Sequence, residues 1–474
     1  MRDDDLVCRA NAWWLRRVEG GRTRTGVRTG AAATVWAIAS LAPLAAQELA
    51  LPDTLDLERA ISVALEQSPD VRSARAAADA AGASRRAAWG SFLPTASLSV
   101  GLNRSDFTKT TFLSEEGTSE ILPEPLSSAS QSASQGLGLN WVVFDQGRRF
   151  ATLRQEGANV RVVQRQLDDR RATVVLEASQ AYYDALRAQR LLELTERQVA
   201  DREQELDIAR RRYEIAAVER VDVLAAESNL LEARVNVLTS RRQTETQLRG
   251  LAVAMGLPPD AGRGTFLRDI GSLPDAGALE ERAVVERVMT RDPEILQLEA
   301  RQAAASAGLW GARSSYLPRI TASVNWSRGQ QFGPDESFFQ FDPSDTGRSF
   351  SISASWTLFD GFQREQQTVQ ASSEKRQAEE ELRRLRLEIE RDVLGYLDEI
   401  AQLDETLALA ERSFAIAEER LNMTRQMYQN GTIDFTALQQ AVSQVTVAER
   451  QLIDLRYNYL IAWANLEQFG GDAP

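Results

Sequence analysis

Ser91-Phe92-Leu93-Pro94-Thr95-Ala96-Ser97-Leu98-Ser99-Val100 is written a second time, 224 residues on, as Ser315-Tyr316-Leu317-Pro318-Arg319-Ile320-Thr321-Ala322-Ser323-Val324. Outward from there, Trp141-Val142-Val143-Phe144-Asp145 returns 215 residues later as Trp356-Thr357-Leu358-Phe359-Asp360, and Tyr213 returns at the same interval as Tyr428. Each half reads as short helices, a strand, a loop, a strand, a very long helix and a shorter helix. A duplicated unit in that order bounds the architecture before any single residue is weighed.

Four segments alternate with period two. In 95–103 one face carries Ala96, Leu98, Val100 and Leu102; in 136–144 it carries Leu137, Leu139, Trp141 and Val143. In 319–327 it carries Ile320, Ala322, Val324 and Trp326, and in 349–358 Phe350, Ile352, Ala354, Trp356 and Leu358. Such alternation, with Ser, Thr, Gly and Asn opposite, is how a bilayer-crossing barrel strand is written. A half-exposed soluble sheet alternates in the same way. On the membrane reading Leu98, Val100, Trp141, Val324, Trp326, Ile352 and Trp356 face lipid. Four strands cannot close a barrel, since spanning barrels begin at about eight, and an open edge in lipid leaves backbone groups unpaired. Three copies supply twelve strands and no edge. Residues 104–135 and 328–348 are polar and read as outer loops; Pro94, Pro318, Asp145-Gln146-Gly147 and Asp360-Gly361 turn the chain on the opposite side.

Residues 147–213 and 362–430 contain no proline and little turn chemistry. About 67 residues of helix span roughly 100 Å, far beyond a helix of a compact domain. The second carries a seam spaced three and four: Val393, Tyr396, Ile400, Leu403, Leu407, Ala410, Phe414, Ala417, Leu421, Thr424, Tyr428. The first repeats its phase from Ala178 to Tyr213 with smaller side chains, which predicts coiled-coil packing. Shorter helices over 70–90 and 219–255 stack end to end against one long helix, as do 294–311 and 434–469. The repeats occupy 47–255 and 279–470, joined by a Gly/Pro-rich linker over 256–278 and followed by a tail at 471–474.

The composition is 43% hydrophobic and 26% charged with a formal charge of −13, which argues against a nucleic-acid partner, since binding a phosphate backbone needs an extended basic patch. Residues 1–46 read as a cleaved export signal: arginines, then the apolar run Ala31 to Ala46 ending Leu44-Ala45-Ala46. The run is short for a spanning helix, which needs about 20 residues; an N-terminal anchor is the alternative. Cleavage removes Cys8, the only cysteine, with seven arginines and four acidic residues, taking the charge from −13 to −16. With no histidine there is no His/Cys metal cluster and no nucleophile–base pair, so no catalytic site, metal or cofactor is expected.

The duplicated strand pairs, Leu-Pro before a strand, Trp-x-x-Phe-Asp after one and Tyr-x-x-Gly closing a long helix resemble the TolC-type outer-membrane efflux (outer-membrane factor) family over nearly all of 55–470. The resemblance implies a mixed α/β membrane protein: a homotrimer whose twelve-stranded transmembrane barrel, four strands per chain, continues into a long α-helical periplasmic barrel. It implies an outer-membrane location with a periplasmic extension, and a passive exit duct of a tripartite efflux or type I secretion system. The partners implied are outer-membrane lipid, a periplasmic adaptor (membrane fusion) protein and an inner-membrane pump. The tip turns, Ala216, Ala217 and Val218 in one repeat and Gly431, Thr432 and Ile433 in the other, would meet the adaptor. Gly431 supplies a positive φ; Ala216 stands where the family commonly has glycine, so its turn differs or is strained. Asp222 matches an acidic residue that narrows the closed entrance, while its counterpart is Ala437; Gln440 stands where some members carry a second acid, and Asp434 joins them at the gate. A trimeric periplasmic or surface coiled-coil structural protein is the alternative reading.

Overall fold

The computed structural model describes residues 54–113, 119–216, 218–332 and 346–470. The expected signal at 1–46, the tail at 471–474 and Ala217 lie outside the described residues. In chain order the elements are β1 (Thr54–Leu55), α1 (Leu57–Gln67), α2 (Pro69–Gly90), β2 (Thr95–Leu113), β3 (Ser119–Asp145), α3 (Arg148–Glu214) and α4 (Arg220–Ala254). There follow β4 (Phe266–Leu267), α5 (Glu281–Arg291), α6 (Pro293–Ser314), β5 (Arg319–Phe332), β6 (Thr346–Ser355), α7 (Gln363–Gln429) and α8 (Phe435–Gly470).

The long strands form one antiparallel sheet in the order β2-β3-β5-β6. Its register lines up the apolar positions across strands: Ala96, Leu139, Val324 and Phe350 make one row, Leu98, Leu137 and Trp326 the next, ending at Arg348 on the edge strand, and Trp141, Ala322 and Ile352 another. The opposite face carries small polar rows such as Thr95, Asn140, Ser323 and Ser351, with the Ser323 and Ser351 hydroxyls 2.7 Å apart. The apolar face has no cover within the chain; Leu98 is 73% exposed.

The strands depart from the sequence reading in two places. Residues 104–113 and 119–135 are strands and not loop: β2 and β3 stay in continuous register from Thr95↔Asn140 to Lys109↔Leu126, so the hairpin outruns the four-stranded sheet as a two-stranded ribbon. Ser and Thr pair there as well as apolar residues do, because a ladder needs backbone groups and not an apolar face. At 328–348, β5 likewise continues to Phe332 and β6 starts at Thr346. Conversely, the fourth strand stops at Ser355 rather than 358, leaving Trp356 beyond it. The last pair is Arg319↔Ser355, so Trp356 would next face Pro318, which has no N–H to offer the ladder.

The Trp–Pro pairing explains both duplicated motifs. Trp141 next faces Pro94 as Trp356 faces Pro318, and each indole N–H donates instead to the carbonyl two residues before the proline, Phe92 O and Tyr316 O, at 3.0 Å. Beyond each strand, Asp145 Oδ2 accepts from the Arg149 backbone N–H at 3.0 Å and Asp360 Oδ2 from that of Arg364 at 3.1 Å. The two arginines also pair with these carboxylates and lie 4.9 Å over the rings of Phe92 and Tyr316. The two strand–helix joints are thus built from the same parts.

Each 67-residue helix spans about 100 Å. Near the sheet the helices lie in the order α2, α3, α6, α7; further away the order is α4, α3, α8, α7. Helix order copies strand order, as it must when every strand is continuous with one helix. The expected seam is buried at Val393, Ile400, Leu407, Leu421 and Tyr428, and on α3 at Ala178, Ala185, Ala188 and Ala209. Tyr213 departs from it, 47% exposed where its counterpart Tyr428 is 1% exposed.

Midway along, the 256–278 segment is more than a linker. β4 pairs in parallel with β1, and the buried Tyr182 hydroxyl lies 2.7 Å from Arg268 O and 3.0 Å from Leu55 O. Gly256, at φ +73°, sits so close to Gln67 that a Cβ would come within 2.8 Å of its backbone. Here α2 and α6 begin alike, on Ser68-Pro69 and Asp292-Pro293, with Ser68 Oγ accepting from Asp70 N–H and Asp292 Oδ1 from Ile295 N–H.

Asp292 is 4% exposed, and burial pushes its carboxyl up to about 6, opposed by the Ile295 N–H bond and reinforced by Glu294 and Asp169. A carboxyl that holds its proton more tightly when folded stabilises the protein below its unfolded value of 3.8, and that stability is lost as pH rises through about 6. Asp292→Asn keeps a cap and removes the buried charge. The variant should be more stable than the parent at pH 7.5, on the order of 1–2 kcal/mol, with the difference closing by about pH 4. Thermal melts at the two pH values measure it.

Candidate functional site at the helix tips

Both long helices end at a residue with left-handed backbone. Thr432 N–H donates to Met427 O at 2.9 Å and Gly431 N–H to Tyr428 O at 3.0 Å, with Gly431 at φ +75°, the left-handed stop that satisfies the last carbonyls of a helix. Ala216 adopts the same conformation at φ +55°, its N–H donating to Tyr213 O at 2.9 Å. At this position the first turn follows the second, with a methyl group where glycine is favoured. Ala216→Gly should stabilise the turn by about 1 kcal/mol, read as slower hydrogen exchange or proteolysis at the tip.

The expected gate residues separate into different roles. Asp434 caps α8, its Oδ1 accepting from Ala437 N–H at 2.9 Å. Glu219, its counterpart, makes no side-chain cap for α4. Asp222 lies half-buried in the first turn of α4, where the helix N-terminus favours a carboxylate. Gln440 stands exposed on α8. Of the turn residues, Val218 and Ile433 are half-buried while Ala216, Gly431 and Thr432 are exposed.

Around Tyr428 the structure gathers a network the sequence reading missed. The Arg212 guanidinium lies 4.5 Å over the Tyr428 ring and its Nη1 donates to Tyr428 O at 2.9 Å, tying α3 to the end of α7. Burial raises the Tyr428 phenol above its usual range; Arg212 opposes this, while the charges of Asp222 and Glu205 add to it. Asp222 thus belongs to the electrostatic surroundings of Tyr428. Beside it Glu205, 4% exposed, pairs with Arg202 at 2.7 Å. Leu206, Ala209, Leu230, Leu421, Phe435 and Leu438 pack with Tyr428 as the apolar core of the tip. The available signal was asymmetry: Arg212 and Glu205 align with Met427 and Arg420, charged chemistry present in one copy and changed in the other.

Among the described residues no cluster of His, Cys, Asp and Glu could hold a metal ion, and no helix is long and apolar enough to cross a membrane. The family described as "Outer membrane efflux protein" matches residues 60–257 and 284–472. Similar proteins include Protein CyaE of Bordetella pertussis, 28% identical over 342 residues that cover 71% of this chain and 67% of that one. Outer membrane protein TolC of Escherichia coli is 23% identical over 350 residues, 71% of this chain and 69% of that one. Among solved structures, the Campylobacter jejuni CmeC outer membrane channel superposes with a TM-score of 0.72 at 14% identity, covering 88% of this chain and 85% of that one. The outer-membrane channel OprN gives 0.72 at 18% identity, with 88% and 90% covered. Matched through both of its halves, the chain belongs to the outer membrane efflux protein family, channels of the outer membrane with a periplasmic tunnel and no catalytic role.

Proposed function

We propose that three copies close into a twelve-stranded barrel and a twelve-helix tunnel, which acts as the exit duct of a tripartite efflux or type I secretion system. The observation that carries this reading is a pair of unpartnered edges. Within the chain β2 and β6 each lack a neighbour on one side, which lipid does not tolerate. At the same two edges of the helix layer lie exposed apolar stripes at coiled-coil spacing: Val221, Leu224, Leu231, Val235 and Leu238 on α4, and Leu409, Ile416, Met423 and Met427 on α7. Two different edges on one chain join head to tail and form a ring when the rotation closes. Exposed Met427 and Tyr213 fit the same closure, because they align with the Arg212–Tyr428 contact one repeat further round.

On this reading the row of Leu98, Leu137 and Trp326, with Val100, Trp141, Val324 and Ile352, meets lipid, and Trp356 lies at the inner interface. Asp222 forms a threefold ring of carboxylates near the tip, where cations are attracted. The turns at 215–219 and 430–434 are the surface for the adaptor, through which the inner-membrane pump delivers its cargo. Electron microscopy of protein extracted from outer membranes in mild detergent tests the proposal. A threefold particle with a hollow stalk of roughly 100 Å is expected. A solid or compact particle, or protein confined to the soluble periplasm, would instead favour a structural coiled coil.

A further inference from the structure

Just below the first strand–helix joint, α2, α3 and α6 enclose a groove of about 550 Å³. Arg85, Arg154 and Arg161 line it, with Trp89 and Trp310 as walls and small residues such as Gly157 and Ala307 at its base. No lining residue is acidic, and among the described residues none of the three guanidiniums makes an ion pair; Arg154 lies 5.3 Å over the Trp310 ring. Most other arginines of the long helices are paired with nearby carboxylates, so three unpaired ones around a single groove are unusual here.

Position gives the groove its meaning. Arg85 is five residues from the end of α2 and Arg154 six from the start of α3, about 8–9 Å from the joint, with Arg161 about 20 Å away. Side chains on a helix lean toward its N-terminus, which on α3 is the sheet end, so Arg154 and Arg161 lean toward the membrane while Arg85 leans down to meet them. Arg154 and Arg161 stand four and three heptads before Tyr182, the residue that carries the added β1–β4 layer. On the duct reading a hollow lumen leaves no room for that added layer, which puts it on the outer surface, and the heptad spacing puts the groove on the same surface. The level is marked by exposed Trp89, Phe150, Phe359 and Phe362, the aromatic belt of a membrane interface.

We infer that this groove binds the phosphate of an anionic phospholipid headgroup from the periplasmic leaflet, with Arg85, Arg154 and Arg161 on the phosphate and Trp89 and Trp310 beside the glycerol and upper acyl chain. Guanidinium forks match phosphate oxygens, and tryptophan favours the headgroup level. The second repeat has no equivalent: Leu309, Val369 and Arg376 stand at the aligned positions, giving one site per chain. This site rests on the outer-membrane duct reading.

The test uses the full-length protein, purified from outer membranes and placed in vesicles of phosphatidylglycerol mixed equally with phosphatidylcholine. Native mass spectrometry of the released assembly then reads the lipid retained. The parent should keep phosphatidylglycerol over phosphatidylcholine by about tenfold or more, and Arg85→Gln/Arg154→Gln/Arg161→Gln should lose most of that preference. Arg376→Gln/Arg383→Gln, in the second half, should keep it. Should the triple variant fail to assemble, Arg161→Gln alone, farthest from the joint, should weaken the preference severalfold. Equal retention of both lipids by the parent, an unchanged preference in the variants, or complete displacement by inorganic phosphate would each overturn the lipid site. Membrane fractionation of the parent separates the two readings: a protein absent from the outer membrane refutes the duct, whereas one present there without lipid preference refutes only the groove.

Discussion

Val324→Arg should prevent the protein from assembling in the outer membrane. Val324 sits between Leu139 and Phe350 in the middle of the apolar face, flanked by the row of Trp141, Ala322 and Ile352 on one side and by Leu98, Leu137 and Trp326 on the other, where only the edge-strand partner, Arg348, is charged. An arginine at mid-bilayer on a barrel's lipid face costs about 2–4 kcal/mol, and in the proposed trimer that cost recurs in each of three copies. No neighbouring carboxylate lies in the row to offset the charge. Asn325, one residue along, points to the opposite face, opposite Gly138 and Ser349. Asn325→Arg should therefore assemble and change only conduction, since in the proposed barrel the polar face lines the water-filled interior. Outer-membrane fractionation and the heat-dependent mobility of the folded oligomer read both variants. If both assemble equally well, the apolar face does not meet lipid.

Tyr428→Ala should loosen the tip and open the duct. The ring is almost wholly buried between Arg212 and Phe435, its centroid 5.9 Å from the latter, and its loss leaves a cavity in the cluster that joins all four helix ends. Removing a buried aromatic ring costs about 3–5 kcal/mol, enough to overcome the local packing of a helix end. Arg212 would keep its bond to the carbonyl of residue 428 but lose the ring it lies upon. Single-channel conductance in planar bilayers should rise severalfold for Tyr428→Ala and stay near the parent value for Tyr428→Phe, which keeps the ring. A parental conductance in both variants would show that this cluster does not hold the tip closed.

Much of the fold was readable because its signals are periodic. Alternation found all four strands, the absence of proline and turn residues found the long helices within a residue at their ends, and the three-four seam found their packed face. What periodicity could not show is pairing without a period. The β1–β4 bridge is two residues on each side, held by Tyr182 and by the backbone clearance at Gly256, and no local pattern announces it. The hairpin beyond Asn103 looked like a loop because serine and threonine carry no apolar alternation, yet the ladder continues through them. Ser68-Pro69 and Asp292-Pro293 did carry a readable signal, the same 224-residue interval as the strands.

At the tip the repeat was both guide and trap. It located the two turns and foretold the glycine-like backbone of Gly431, which Ala216 adopts in spite of its methyl group. It also placed Tyr213 and Tyr428 in equal surroundings, although only Tyr428 has a covering arginine within its own chain. Arg212 and Glu205 were invisible to a search for shared residues because they belong to one copy.

The twin joints make each long helix a lever with one clamped end. A tryptophan–carbonyl bond, an aspartate–arginine pair and a stacked guanidinium fix the direction in which the helix leaves the sheet. Over about 100 Å, a tilt of only about 5° at the clamp sweeps the far end through roughly 9 Å. The aperture at the tip is therefore most sensitive to angular play at the opposite extremity, and a substitution at Asp145 or Asp360 would act at a distance, by changing where the far end points.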